Sequence, residues 1–418
     1  MEDFLTSYID YRKKTECPII YHRWAALSLL GAFLGRRTWF PHGSMKLTGN
    51  QYLIFMGVSG TRKSTAILEA KDLLSQTGYD LYSADKTTKE QYLQDLNDCP
   101  KGIGGDKDLE SILNSEYFTS DDSVESYIVA DELNDLFGNT DVLGFVQCLG
   151  KLWDYKGTYK YRLRNGTNVS IPNPLISMLG GNTPSSFAKL FPPDILSQGF
   201  FSRILLIHGE PTGVKHFRKP VPDDKHTKQL LQVLEQIRIT IEGECKVTDA
   251  AWDLLKQIYE TPIDFYDVRF ESYPTRRYTH LMKLCLLCAA SRISNTVEAK
   301  DVVLANTMLT YIEYFMPKAL GEFGKAKNSD VTDKVIRYIE SSIEPPSIQD
   351  IWKQVSNDLE RFSLLGDLLR NLAQADKILQ VANNNKTVFL PKRRLIGVQN
   401  NNVLDFTLLT SEEREKLA

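Results

Sequence analysis

No stretch of this 418-residue chain is apolar for long enough to cross a bilayer. The most apolar early segment, Trp24 to Leu34, lies between His22-Arg23 and Arg36-Arg37 and falls short of a membrane span, so it reads as a buried helix. The chain opens Met1-Glu2-Asp3, acidic where a secretory leader is basic, and no signal peptide is expected. The six cysteines are scattered and do not form pairs of pairs with metal-ligand spacing. The close pair Cys285 and Cys288 sits inside the helical apolar pattern His280–Ala290 and reads as buried core thiols in a reducing compartment. Excess positive charge is also lacking. Fifty Lys and Arg against 53 Asp and Glu give a formal charge of −3. No global basic field recruits nucleic acid, and any such binding must use local patches. There is no internal repeat. What remains is an ordinary globular composition, 42% hydrophobic and 25% charged, with room for two or three domains. A cytoplasmic protein without membrane contact is expected.

The most informative segment is Gly57-Val58-Ser59-Gly60-Thr61-Arg62-Lys63-Ser64-Thr65. It follows the apolar run Tyr52–Met56 and leads into the helix-like Ala66–Ala70. Strand, glycine turn, Lys-Ser and helix form the arrangement that cradles a nucleoside triphosphate on backbone N–H groups at a helix N-terminus. Lys63 is expected to reach the β- and γ-phosphates, and Ser64 to ligate Mg²⁺. The bland alternative is a flexible turn before an ordinary helix. One position is unusual: Arg62 stands where Gly normally precedes the Lys, and only Gly takes left-handed backbone angles cheaply.

Downstream, Tyr127–Ala130 is a strand ending in Asp131-Glu132. Ligands of parallel α/β sheets bind at such C-terminal strand ends. Asp131 is the expected Mg²⁺ holder, and Glu132 the group that orients and deprotonates an attacking water. Leu175–Leu179 leads into Gly180-Gly181-Asn182-Thr183-Pro184, where Asn182 senses a γ-phosphate or simply forms a Gly-Asn turn. Gly199–Arg203 precedes the apolar Ile204–Ile207. Arg203 is either an arginine finger for a neighbouring subunit or a surface ion-pair partner. Arg276 and Arg277 open a later helix and either reach phosphates from a lid or carry surface charge.

The hairpin Thr158–Arg164, turning at Asn165-Gly166, is the best nucleic-acid candidate. Alternation puts Lys160, Arg162 and Arg164 on one face for phosphate contacts, and Tyr159, Tyr161 and Leu163 on the other, either packed or stacking bases.

The expected organisation is a helical segment over 1–48, an α/β core over 49–222, a helical lid-like domain over 223–324, a winged helix over 330–395 and a tail or docking segment over 396–418. Strands alternating with helices predict a mostly parallel sheet covered on both faces. A short strand is expected at Asp80–Ser83 and a short helix at Leu109–Leu113. In the winged helix, Ser347 is the expected cap of the second helix. Arg361–Ala375 is the recognition-helix candidate with Arg361 and Arg370. The wing carries Lys386, with Lys392-Arg393-Arg394 beyond it, and the partner is DNA or protein.

The order of these pieces resembles a phage and mobile-element group, the P-loop ATPases of primase–helicases, which includes a widespread domain of formally unknown function. The resemblance covers residues 15–320. It rests on Gly57–Thr65, Asp131-Glu132, Trp153-Asp154, Gly181–Pro184, Gly199–Arg203 and Arg276-Arg277 through Lys283-Leu284. Arg62 is familiar in that group. The resemblance implies a P-loop NTPase of the AAA+ or RecA-like kind, close to superfamily 3 replicative helicases. It would use ATP and Mg²⁺, form a ring (a hexamer) and move along single-stranded DNA. Arg203 would complete the neighbour's site, and the hairpin would serve as a pore loop. With no primase region before the motor, priming would come from a separate protein. The alternative within this reading is a helicase loader or replication initiator that binds DNA without unwinding it.

Overall fold

The computed structural model describes residues 3–98, 123–137, 141–163, 166–197, 199–218, 224–261, 267–321, 323, 329–342, 344–359, 361–374, 378–383, 386–391 and 403–417. Arg164, the helix expected at 109–113 and the Lys392–Arg394 cluster lie outside them, as does the Lys386 side chain. The chain divides into two compact units. The larger holds Met1–Ile263, Phe270–Phe323 and Gly397–Ala418, and the smaller holds Asp264–Arg269 and Gly324–Ile396.

The larger unit opens with α1 (Phe4–Arg12) and α2 (Ile19–Leu34), followed by the hairpin β1 (Thr38–His42) and β2 (Met45–Leu47). Every residue of α2 is buried, as its unbroken apolar sequence requires. The hairpin departs from the helical reading of residues 1–48. Thr38, Trp39 and Phe40 are β-branched or aromatic residues that favour extended backbone. Next come β3 (Tyr52–Met56), α3 (Lys63–Ser75), α4 (Lys89–Asp98), β4 (Glu125–Ala130), α5 (Leu133–Phe137) and α6 (Val142–Leu152). The hairpin β5 (Thr158–Arg162) and β6 (Asn168–Pro172) leads to β7 (Leu175–Asn182), α7 (Pro184–Leu190) and β8 (Ile204–His208).

Four of these strands form an all-parallel sheet in the order β4-β7-β3-β8. All residues of β3 and β7 are buried, the pattern of strands covered on two faces. Successive strand residues face opposite ways, which identifies the covers. A Cβ built on Gly180 would meet the Leu133 side chain of α5, whereas one on Gly181 would meet Ile67 of α3. Tyr52, on the Gly180 face, donates to Leu149 O of α6 at 2.9 Å. Phe55, on the other face, stacks on Tyr21 of α2 at 4.8 Å. Helices α5 and α6 therefore cover one face and α2 and α3 the other. The strand expected at Asp80–Ser83 is present only as a parallel bridge, Tyr82 to Tyr127, beside β4.

The later helices α8 (Asp224–Thr240), α9 (Asp249–Glu260), α10 (Pro274–Ser291) and α11 (Ala299–Leu320) belong to the same unit. They are joined to the front of the chain by the short parallel pairing of Thr38-Trp39 with Gly243-Glu244. The C-terminal stretch also returns. In the short helix Ser411–Glu415, Glu413 accepts from Arg23 Nε and Nη2 at 2.8 and 2.6 Å, with both side chains buried. Asn306 Nδ2 donates to Val403 O at 2.9 Å.

The smaller unit contains three helices, Ser329–Ser341, Ile348–Val355 and Phe362–Gln374, and an antiparallel hairpin of Ile378–Asn383 with Lys386–Pro391. Val335, Ile339, Ile351, Val355, Leu365 and Phe389 form its core. Ser347 caps the second helix in a reciprocal capping box with Asp350.

Candidate functional site

The glycine-containing loop runs from the C-terminal end of β3 to the first residue of α3, Lys63. Gly57 is required by close approach, since a Cβ there would lie 2.6 Å from both Gly209 O and Tyr21 Oη. Ser59 and Gly60 are exposed, Thr61 is buried, and Ser64 and Thr65 are half-buried at the helix start. Arg62 sits at φ 63°, ψ 26°, in the left-handed region that costs a non-glycine residue about 1–2 kcal/mol. Its guanidinium is tied down, because Nε donates to Glu16 Oε2 at 2.8 Å. The other oxygen of Glu16 accepts the His216 amide at 2.7 Å. Those two contacts, the His216 amide first and Arg62 second, hold the Glu16 carboxyl below its ordinary range.

Lys63 is only 9% exposed. Its ammonium donates to Gly57 O (2.8 Å), Val58 O (3.0 Å) and Thr61 Oγ1 (3.2 Å), so it lies across the mouth of the loop. Burial lowers its pKa, and the negative charge of Glu132 acts against that shift. The loop and the acid pair thus share one electrostatic neighbourhood.

Asp131 and Glu132 follow β4 and are both exposed. A Cβ on Gly181 would lie 2.4 Å from Asp131 O and 3.2 Å from Ile67 Cδ1. The ends of β4 and β7 and the helix behind the loop converge there. Asn182, paired with Met56 at the end of β3, is 2% exposed. Its Oδ1 accepts the Thr183 amide at 2.9 Å, and its Nδ2 lies 3.4 Å from Asn134 Oδ1. Gly57–Thr65, Asp131, Glu132 and Asn182 therefore gather at the C-terminal edge of one parallel sheet, along its neighbouring strands β4, β7 and β3.

The remaining motif residues collect at the opposite edge. Arg203 immediately precedes Ile204, which pairs with Tyr52 at the start of β3. That is about 13 Å from Met56 at roughly 3.3 Å per residue. Arg203 Nη1 donates to Gly199 O, and its guanidinium lies 5.8 Å from the Trp153 ring. Burial, then repulsion from Arg276, lowers its pKa. On Trp153 also rests Lys283, 4.4 Å from the ring, which donates to Asn50 Oδ1 at 2.6 Å and Asp154 Oδ1 at 2.7 Å.

Arg277 corrects its expected role, since it neither stands free for a phosphate nor carries surface charge. Its side chain is buried and donates to Glu313 (2.7 Å), Asn306 (3.0 Å) and Thr310 (3.1 Å). Withdrawing one partner from a buried pair of this kind costs about 3–5 kcal/mol, so Arg277 is structural. Arg276 is half-buried beside Arg203.

In the β5–β6 hairpin, Lys160 and Arg162 are exposed, while Tyr159 and Tyr161 are half-buried and Leu163 is buried. Tyr159 packs on Tyr155 at 5.3 Å and lies 3.7 Å from Cys148 Sγ, and Tyr161 receives Lys89 at 5.4 Å. The aromatic row packs inward and the basic row faces out.

Sequence reasoning missed Glu16, the side chain that holds Arg62 and His216. It lies before α2 in a polar stretch with no periodic or motif signal, and only its partners, 46 and 200 residues away, reveal it. Among the described residues no three His, Cys, Asp or Glu side chains cluster as a metal cage, and no helix is long and apolar enough to cross a membrane. No protein-family model matches this chain, and no curated protein is significantly similar to it.

Proposed function

We propose that this chain is an ATP-hydrolysing motor with a P-loop NTPase core, acting on single-stranded DNA as a ring of identical subunits, with six as the expected number. The observation that carries the reading is the convergence of Lys63, Asp131, Glu132 and Asn182 at the C-terminal edge of one parallel sheet. This is the edge where α/β proteins bind ligands.

The residues fit a magnesium nucleotide. Mg²⁺ on a triphosphate needs only one or two protein oxygens, so it does not require a cage of three His, Cys, Asp or Glu, which is not found among the described residues. Ser64 and Asp131 supply those oxygens, and Lys63 neutralises the phosphate oxygens at the loop mouth. Mg²⁺, when bound, would supply charge neutralisation to the phosphates. Glu132 accepts the proton of the attacking water, and the Asn182 amide positions that water or the γ-phosphate. Lys160 and Arg162 contact the DNA backbone. The smaller unit, three helices and a hairpin, is read as a winged helix that binds DNA or a protein partner. A separate primase and other replication proteins would complete the system.

The direct test uses fork unwinding and phosphate release by the wild type, Lys63→Ala and Glu132→Gln. Lys63→Ala is expected to abolish both. Glu132→Gln is expected to bind ATP normally and to lose about 10²–10⁴-fold in turnover. ATP turnover without strand separation would favour a loader or initiator. Absence of ATP binding by the wild type would end the motor reading.

A further inference from the structure

Phe217 is 99% exposed. An exposed aromatic says little by itself. Its place says more. The chain leaves β8 through Gly209, whose amide donates to Met56 O at 3.0 Å, directly behind the phosphate loop. It is then fastened twice to one residue: Thr212 Oγ1 donates to Glu16 O at 3.0 Å, and the His216 amide donates to Glu16 Oε1 at 2.7 Å. The second carboxylate oxygen of Glu16 holds Arg62, the neighbour of Lys63. One carboxyl group thus joins the backbone next to Phe217 to the residue next to the phosphate-binding lysine. Cys17, which follows Glu16, adds a contact from Sγ to Arg62 O at 3.5 Å. Exposed Lys215 and Arg218 flank the ring.

We infer that Phe217 is the platform on which the base of the bound nucleotide stacks, with Glu16 fixing the distance between that platform and the phosphate loop. The inference rests on the reading of Gly57–Thr65 as a triphosphate site. Stacking uses only the face of the base, and every base has one. The ligand class is therefore a nucleoside triphosphate of unrestricted base.

Calorimetric titration separates the possibilities, using Mg-ATP, Mg-GTP, a single-stranded DNA oligonucleotide, and inorganic tripolyphosphate, which has no base. Phe217→Ala is expected to weaken ATP and GTP alike by about tenfold and to leave tripolyphosphate unchanged. Phe217→Trp is expected to bind both nucleotides as the wild type does. The ring makes no buried contact, so thermal unfolding should not move in either variant. Unchanged nucleotide affinity in Phe217→Ala overturns the inference. So does an equal loss for tripolyphosphate, or a loss confined to single-stranded DNA. A wild type that binds tripolyphosphate no better than Lys63→Ala overturns the phosphate-site reading itself, and the base platform with it.

Discussion

Arg203 and Lys63 stand at opposite edges of the same parallel sheet. Arg203 adjoins Ile204, paired with the first residue of β3, whereas Lys63 follows the loop that leaves the last. Strands are stiff and every residue of β3 is buried, so no side-chain rotation brings the two together. Within one subunit Arg203 therefore does not reach the phosphate loop, and in the proposed ring it could serve such a site only across an interface.

Subunit mixing tests this placement. Arg203→Ala and Lys63→Ala should each lose ATPase activity, by about 10³-fold or more for Arg203 if it acts as a finger. Mixed rings contain some interfaces with an intact Lys63 opposite an intact Arg203 and should recover part of the wild-type rate. ATPase activity that stays at the single-variant level across all mixing ratios would remove Arg203 from the neighbour's site.

The hairpin makes a separate prediction. Lys160→Ala/Arg162→Ala removes two exposed cations and leaves the packed Tyr159 and Tyr161 in place. Basal ATPase should persist and stimulation by single-stranded DNA should fall. The slope of log affinity against log salt should drop by about 0.7 for each lost phosphate contact. An unaltered salt slope, read by fluorescence anisotropy, would place the DNA elsewhere.

At Gly181 the prediction concerns alignment. A methyl group there would lie 2.4 Å from Asp131 O, a backbone atom that cannot swing aside. Gly181→Ala should destabilise the protein by about 1–3 kcal/mol and displace the acid pair from the loop. Denaturant unfolding reads the first effect. The second appears as turnover that falls more than ATP affinity does.

Acid sensitivity follows from two buried histidines. Burial lowers His22 and His280 to about 3. Both stay neutral in the folded protein, while the unfolded chain takes up protons below its usual value near 6.5. Their contribution to stability is therefore complete above that value and is lost as pH falls from about 6.5 toward 3. Between pH 6.5 and 5.5 each site should remove up to about 1 kcal/mol. Urea unfolding of His22→Phe should show a shallower acid slope than the wild type. Equal slopes would mean that His22 does not titrate in this window.

Much of the local plan was legible in the sequence. The apolar runs before Gly57, Asp131 and Gly180 are the strands that deliver them, and Ser347 caps the helix it was expected to cap. The faces of the Lys160 hairpin also follow from alternation. Each depends on forces that act within a few residues: side-chain periodicity, turn chemistry, capping.

Other features depended on packing. Arg276 and Arg277 are adjacent and look alike, yet one is half-buried beside Arg203 and the other is buried on Glu313. Arg23 finds Glu413 across 390 residues. The left-handed Arg62 is held by a glutamate that no motif marks.

By itself the sequence determined which residues end strands, open helices and carry charge, because those properties are settled by neighbours along the chain. Only the tertiary structure decided which ends share an edge of the sheet and which charges are matched in the interior. A buried charge must be paired where it lies, and its partner is set by strand order and register rather than by distance along the chain.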